Sequence, residues 1–386
     1  MLAGLVVVLH PWSDQQSITV PPPQRGDRDE RAAWAASALA GVQDAVNSGI
    51  ETDLSRAGEV VADNARALRV RGFSWRYVDE DEGAQTQGSD TWVADVATTW
   101  LFGGFDRVAA STEVSVTFRQ SGESAVIEAI GGHDGRTPLW LAGPVAVRRT
   151  PNTLVIAAGG AKAADRYARL ATAAVPVVQR VLHDWPGGLV VEVPADAEGL
   201  DEELDASPGE YAQIAAVTTS VDGSTGDRAP VHVFVNPEVY DGLLPMGAQV
   251  VMSHEATHVA THAVSTTMPL WLVEGFADYV ALRDVDLPLS KTASQIAAQV
   301  RRDGVPRHLP TDAEFGTRTT HLGAVYEAAW LACTTLAQLG GEDRLVAFYR
   351  SLSSGGDEAR ELRRIFGFSE DSLTRSWQER LRDLAG

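Results

Sequence analysis

His254-Glu255-Ala256-Thr257-His258, followed sixteen residues on by Glu274 within Trp271-Leu272-Val273-Glu274-Gly275-Phe276-Ala277-Asp278-Tyr279, decides how the C-terminal part of this chain is read. The pattern predicts a helix over residues 250–264. On it His254 and His258, four positions apart, project from one face at the separation a tetrahedral metal ion needs. Glu255 sits one position round, where a carboxylate reaches a metal-held water without being a ligand, as a general base must. The competing reading is an amphipathic helix on which two histidines happen to fall. With 9 His and 52 acidic residues in 386, a chance HExxH is expected in roughly one or two per cent of such chains. Glu274 tips the balance. A catalytic zinc takes three protein ligands and keeps a fourth position open, and Glu274 offers a hard oxygen on a second predicted helix. Asp278, one turn further, is placed to accept the remaining ring N–H of a ligand histidine and fix its tautomer; its alternative is a solvated acidic residue.

Working outward, the chain from residue 243 onward reads as mostly helical, broken at Pro269, Pro288, residues 306–310 and Gly340-Gly341. On the N-terminal side, residues 154–158 and 189–193 read as buried strands with a helix at 161–183 between them. Residues 214–221 and 230–236 read as a hairpin around the turn-rich 222–227. The second hairpin strand, just before the metal helix, invites the reading of an edge strand above the metal, where a peptide adds by backbone hydrogen bonds. An ordinary sheet strand is the alternative.

Upstream of residue 150 the pattern changes. Residues 27–68 carry two helical periods, and residues 73–78, 91–99, 112–119, 125–130 and 139–149 alternate with a period of two between Gly, Asp and Ser turns. Helices followed by antiparallel strands imply an α+β unit, which in order and size resembles the cone-shaped NTF2-like fold and suits scaffolding or partner contact. The expected division is 1–26, a truncated signal or membrane-anchor remnant with a Pro-rich linker; 27–150, the NTF2-like α+β domain; and 151–386, the metal domain. Met1 to Leu9 is apolar but too short to span a bilayer and lacks a basic leader. It is the back half of a membrane segment, giving an extracytoplasmic, anchored or secreted protein, or else a short buried strand, giving a cytoplasmic one.

A formal charge of −20 and a pI near 4.8 exclude the phosphate-gathering surface that nucleic acids or anionic membranes need. Two lysines against thirty arginines, with many Ala and Gly, suggest a high-GC bacterial source. The single cysteine, Cys333, rules out an intramolecular disulfide and a Cys-based zinc cluster. It falls in an apolar helical stretch and reads as packing. Trp185, Trp271 and Trp330 read the same way.

HEATH followed by PLWLVEGFADYV resembles the gluzincin metallopeptidases, and within them the peptidase MA-like branch with its Trp-Leu-x-Glu-Gly-x-Ala-x-Tyr helix. The resemblance implies Zn2+ held by His254, His258 and Glu274, Glu255 as general base, and Asp278 bracing a ligand histidine. It also implies a downstream Tyr or His that donates to the oxyanion of a tetrahedral intermediate. Tyr326 is the candidate and His321 its competitor, with a core tyrosine and a helix cap as their respective alternatives. His262, one turn past His258, is expected at the surface or behind the ligands. Fifteen residues separate His258 from Glu274, a short connection for these enzymes, and no Gly-x-Met-Glu-Asn-like segment precedes the metal helix, so an aminopeptidase is not supported. The expected function is zinc-dependent hydrolysis of peptide or protein substrates. The other reading is a catalytically quiet zinc-containing binding module at the cell surface.

Overall fold

A computed structural model describes residues 25–50, 53–81, 90–133, 135–226, 228–316 and 321–386. The apolar run 1–9 and the linker up to residue 24 lie outside the described residues; Arg25 and Gly26 already belong to the first helix. Helix α1 (Arg25–Ser48) and α2 (Arg56–Leu68) precede an antiparallel sheet of β1 (Val70–Glu80), β2 (Thr91–Phe102), β3 (Ala110–Gln120) and β4 (Ala125–Ile130) in simple meander order. The break between the helices is set locally: the Ser55 hydroxyl caps α2 by accepting from the Gly58 N–H at 3.2 Å. Alternation along the strands turns Phe73, Trp75, Trp100, Phe102 and Phe118 inward against Leu39, Val42 and Leu68 of the helices.

The strand expected at 139–149 is instead two elements. Pro138 opens a single helical turn, α3 (Leu139–Ala142), and after Gly143 the chain extends as β5 (Ala146–Arg149), which leaves the first sheet and joins a second. That sheet contains β5, β6 (Thr153–Ala157), β7 (Leu189–Val193), β8 (Ala216–Ser220) and β9 (Val231–Val235) in the order β5-β6-β7-β9-β8. β6, β7 and β9 run parallel, and β5 and β8 are antiparallel edges. The expected hairpin is present, Ala216 facing Val235 and Ser220 facing Val231. Its outer strand differs from the expectation: β9 pairs with β7 on its other side, so the free edge belongs to β8.

Helices α4 (Gly160–Gln179) and α5 (Ala197–Leu204) connect the strands, α6 (Pro237–Tyr240) follows the last of them, and the rest is helical. It comprises α7 (Pro245–Thr261), α8 (Leu270–Leu282), α9 (Leu289–Thr292), α10 (Ser294–Asp303), α11 (Leu322–Gly340), α12 (Glu342–Ser353), α13 (Glu358–Phe366) and α14 (Glu370–Ala385). No helix among the described residues is long and apolar enough to cross a membrane. The whole is a mixed α+β chain, its first core under the four-stranded sheet and its second around α7, α8 and α11.

Candidate metal centre

Helix α7 starts earlier than its histidine spacing suggests, because Pro245 occupies its first turn with a φ suited to helix initiation. It ends at His262, which adopts a left-handed conformation (φ 52°) and returns its N–H to the carbonyls of His258 and Val259. Residues 252–259 are buried throughout, packed between α4, α8 and the β8–β9 hairpin. The polar residues in this stretch therefore need partners: His254 and Glu255 find them, whereas His258 has contacts at Nε2 and none at its buried Nδ1.

His254 Nδ1 lies 2.8 Å from Oδ1 of Asp278, and its Nε2 lies 3.1 Å from Oε2 of Glu274. His258 Nε2 is 3.0 Å from His254 Nε2 and 3.3 Å from the same Glu274 oxygen. Glu274 and Asp278 are four apart on α8, so one helix face delivers both carboxylates to α7. One donor atom from each of His254, His258 and Glu274 falls within 4.8 Å of the others, the one such group among the described residues that could hold a metal ion.

The chemistry of the donor set fits a cation. The hydrogen bond to Asp278 assigns the proton of His254 to Nδ1, which leaves Nε2 as a lone pair aimed at a second ring nitrogen and a carboxylate oxygen. With the proton of His258 on its unpartnered Nδ1, its Nε2 is a third acceptor, and three acceptors at about 3 Å repel one another unless positive charge lies between them. The proton affinities agree. Burial pushes His254 down, but the charge and hydrogen bond of Asp278, joined by Glu274, outweigh it and hold the ring well above its ordinary pKa. Burial pushes Glu274 up, and the two imidazoles reverse this, keeping its carboxyl far below the usual range.

Glu255 points beside this cradle. Its Oε2 accepts a 2.6 Å hydrogen bond from the Thr218 hydroxyl on β8, and the same hydroxyl lies 3.3 Å from the Glu255 carbonyl. Burial raises its pKa, while His254, His258 and Thr218 restrain the rise. Thr218 carries no sequence signal of its own; only the placement of the edge strand against α7 reveals it. Tyr326, on α11, puts its ring centroid 6.2 Å from that of His254 and is held edge-on by Phe315 at 5.4 Å. Burial, then the charges of Glu274, Glu255 and Asp278, keep its hydroxyl protonated far into the alkaline range. His254, Glu255, Asp278 and Tyr326 line one cavity of about 440 Å³, whose opposite wall includes Ala215 and Ala216 at the start of β8. His321 is exposed at the start of α11 and does not line this cavity; His262 lines a different one. Trp271 and Trp330 are buried, and Cys333 is buried against α8.

No protein-family model and no curated protein matches the chain. Among solved structures it is similar to an M1 zinc metallopeptidase from Deinococcus radiodurans, with a TM-score of 0.39 and 14% identity over 81% of this chain. The chain spans 61% of the length of that protein.

Proposed function

We propose that the chain is a zinc-dependent peptide-bond hydrolase of gluzincin type, with His254, His258 and Glu274 as the metal ligands. The observation that carries this reading is the conjunction of the three-acceptor cradle with a general base fixed beside it: Asp278 orients His254, and Thr218 orients Glu255. A zinc ion held there supplies Lewis acidity toward a carbonyl oxygen and brings the pKa of a water down to about 7.

The chain's own residues do the rest. Thr218 occupies one oxygen of the Glu255 carboxylate and leaves the other to take the proton of the attacking water and return it to the departing amine. The Tyr326 hydroxyl, protonated and without a hydrogen-bond partner among the described residues, donates to the developing oxyanion. The unpaired edge of β8 offers backbone groups to an extended peptide lying along the cavity mouth. A quiet zinc-binding module has no use for a buried Glu255 held by a dedicated hydrogen bond, so the catalytic reading is preferred.

The test is zinc content measured alongside hydrolysis of an unstructured protein such as casein. Glu255→Gln is expected to retain zinc and lose nearly all turnover, whereas His258→Ala loses both. Undiminished hydrolysis by Glu255→Gln overturns the assignment.

A further inference from the structure

A second cavity, of about 590 Å³, lies away from the cradle, where the two halves of the chain meet at the N-terminal ends of β7 and β9. Its walls come from the β2–β3 turn, from the segments leading into β7 and β9, and from the last turn of the metal helix. Three of its side chains are cationic or can become so: Arg107, Arg228 and His262. Its one carboxylate, Asp106, is already committed, accepting from His232 Nε2 at 3.0 Å and from the Phe102 N–H at 2.7 Å. Several arginines of this acidic protein find carboxylates, as Arg148 does with Asp165, Arg166 with Asp241, Arg180 with Asp284 and Arg283 with Glu342. Arg107 and Arg228 form no ion pair with a described residue. In a chain of formal charge −20 this is a local reversal of sign.

We propose that this cavity binds a small organic oxyanion, a carboxylate or a phosphate monoester, whose charge lies between Arg107, Arg228 and His262 and whose apolar body lies against Trp185. The volume is that of an ordinary small-ligand site, and most of the lining residues are apolar. Guanidinium groups grip either oxyanion through two parallel hydrogen bonds, which selects planar or tetrahedral oxygen pairs over halide. Because Arg107 belongs to the N-terminal half and His262 caps the metal helix, the ligand joins the two parts of the molecule.

The experiment is titration of the full-length protein with phenyl phosphate and with benzoate, using benzyl alcohol as the uncharged control. Calorimetry gives the affinity and NMR follows the His262 ring. Saturable binding of at least one anion is expected, with the His262 ring resonances shifting on binding. Arg107→Gln and Arg228→Gln are each expected to weaken it about tenfold or more, as loss of a charged hydrogen bond does. The tighter of the two anions identifies the ligand class. Both arginines are exposed, and circular dichroism of the variants separates loss of binding from loss of fold. The proposal is overturned by absence of saturable binding in the millimolar range, by equal binding of benzyl alcohol, or by anion binding that survives both substitutions, which places the anion at the metal cradle instead.

Discussion

Replacing Gly275 by alanine tests how the Glu274 helix is seated. Gly275 faces α11, and a Cβ built on it lies 2.4 Å from the carbonyl oxygen of Ala329, 2.6 Å from the carbon of the same carbonyl and 3.0 Å from Cys333 Sγ. Two of these three atoms are backbone and cannot rotate away. Ordinary contact begins near 3.4 Å, so α8 and α11 must part by about 1 Å. In an unencumbered helix the same substitution stabilises by about 1 kcal/mol. Here overpacking against main chain costs about 1–3 kcal/mol and wins, so a net loss of that order is expected. Glu274 is the adjacent residue, and its oxygen sits 3.1 and 3.3 Å from the two imidazoles. A displacement of about 1 Å exceeds the ~0.2 Å tolerance of a metal site several-fold, so zinc affinity is expected to fall at least tenfold. Urea unfolding gives the first quantity and chelator competition the second. Gly247→Ala on α7 is the control, since its Cβ meets nothing within 4 Å; it is expected to leave zinc affinity intact and to stabilise. If Gly275→Ala unfolds no earlier than the wild type and binds zinc as tightly, the reasoning fails.

Thr218→Val removes the 2.6 Å bond that restrains the Glu255 pKa. Zinc content should be unchanged while the acidic limb of kcat/KM moves to higher pH; an unmoved limb refutes the role given to Thr218. His232 is buried between Asp106 at 3.0 Å and Glu192 at 2.6 Å, and although burial lowers its pKa, these carboxylates outweigh it and raise the ring to about 10. Its folded value exceeds the unfolded one, so its contribution is complete below about pH 6.5 and is lost as pH rises through about 10. His232→Gln should cost on the order of 3–5 kcal/mol at pH 7 and flatten the alkaline fall in urea midpoint, a fall that persists undiminished if the ring is not the cause. Burial, with Glu370 next, raises Glu358 to about 7 beside Trp271. The same sign applies: its stabilising share is whole below about pH 4.5 and gone above 7. Glu358→Gln should therefore stabilise at pH 8 by about 1–2 kcal/mol, after allowing for solvent screening of a partly exposed group, and leave pH 4 unfolding unchanged.

The cradle was legible because its geometry is local. Two residues four apart on a helix share a face whatever the tertiary fold, so His254 with His258, and Glu274 with Asp278, could be paired from spacing alone. What depends on topology was not legible. The hairpin of β8 and β9 follows from its turn, but which strand is outermost is set by the parallel pairing of Val191 with Val233, residues far apart in the sequence. The partner of Glu255 was hidden for the same reason. Residues 139–149 alternate as a strand should, yet periodicity names no sheet, and the Pro138 and Gly143 breaks divide them between a helical turn and the edge of the second sheet. Gly275 stood in the motif from the start, but that a glycine is needed there is a property of α11, not of α8.

The second sheet explains why the N-terminal unit accompanies the metal helices. Along β6, Leu154 and Ile156 face the core beneath the first sheet, while Val155 and Ala157 face the core around α7; on β7, Val190 and Val191 divide in the same way, as do Phe234 and Val235 on β9. All of these side chains are at most 1% exposed. Burying four such residues, Leu154, Ile156, Val190 and Phe234, contributes about 1.5–3 kcal/mol each. The sum is comparable to the whole stability of an ordinary domain, about 5–15 kcal/mol. A sheet with that face uncovered has little reserve, and β8, which holds Glu255 through Thr218, hangs on its outer edge. The N-terminal half therefore bears on Glu255 through the sheet between them, whether or not it touches a substrate.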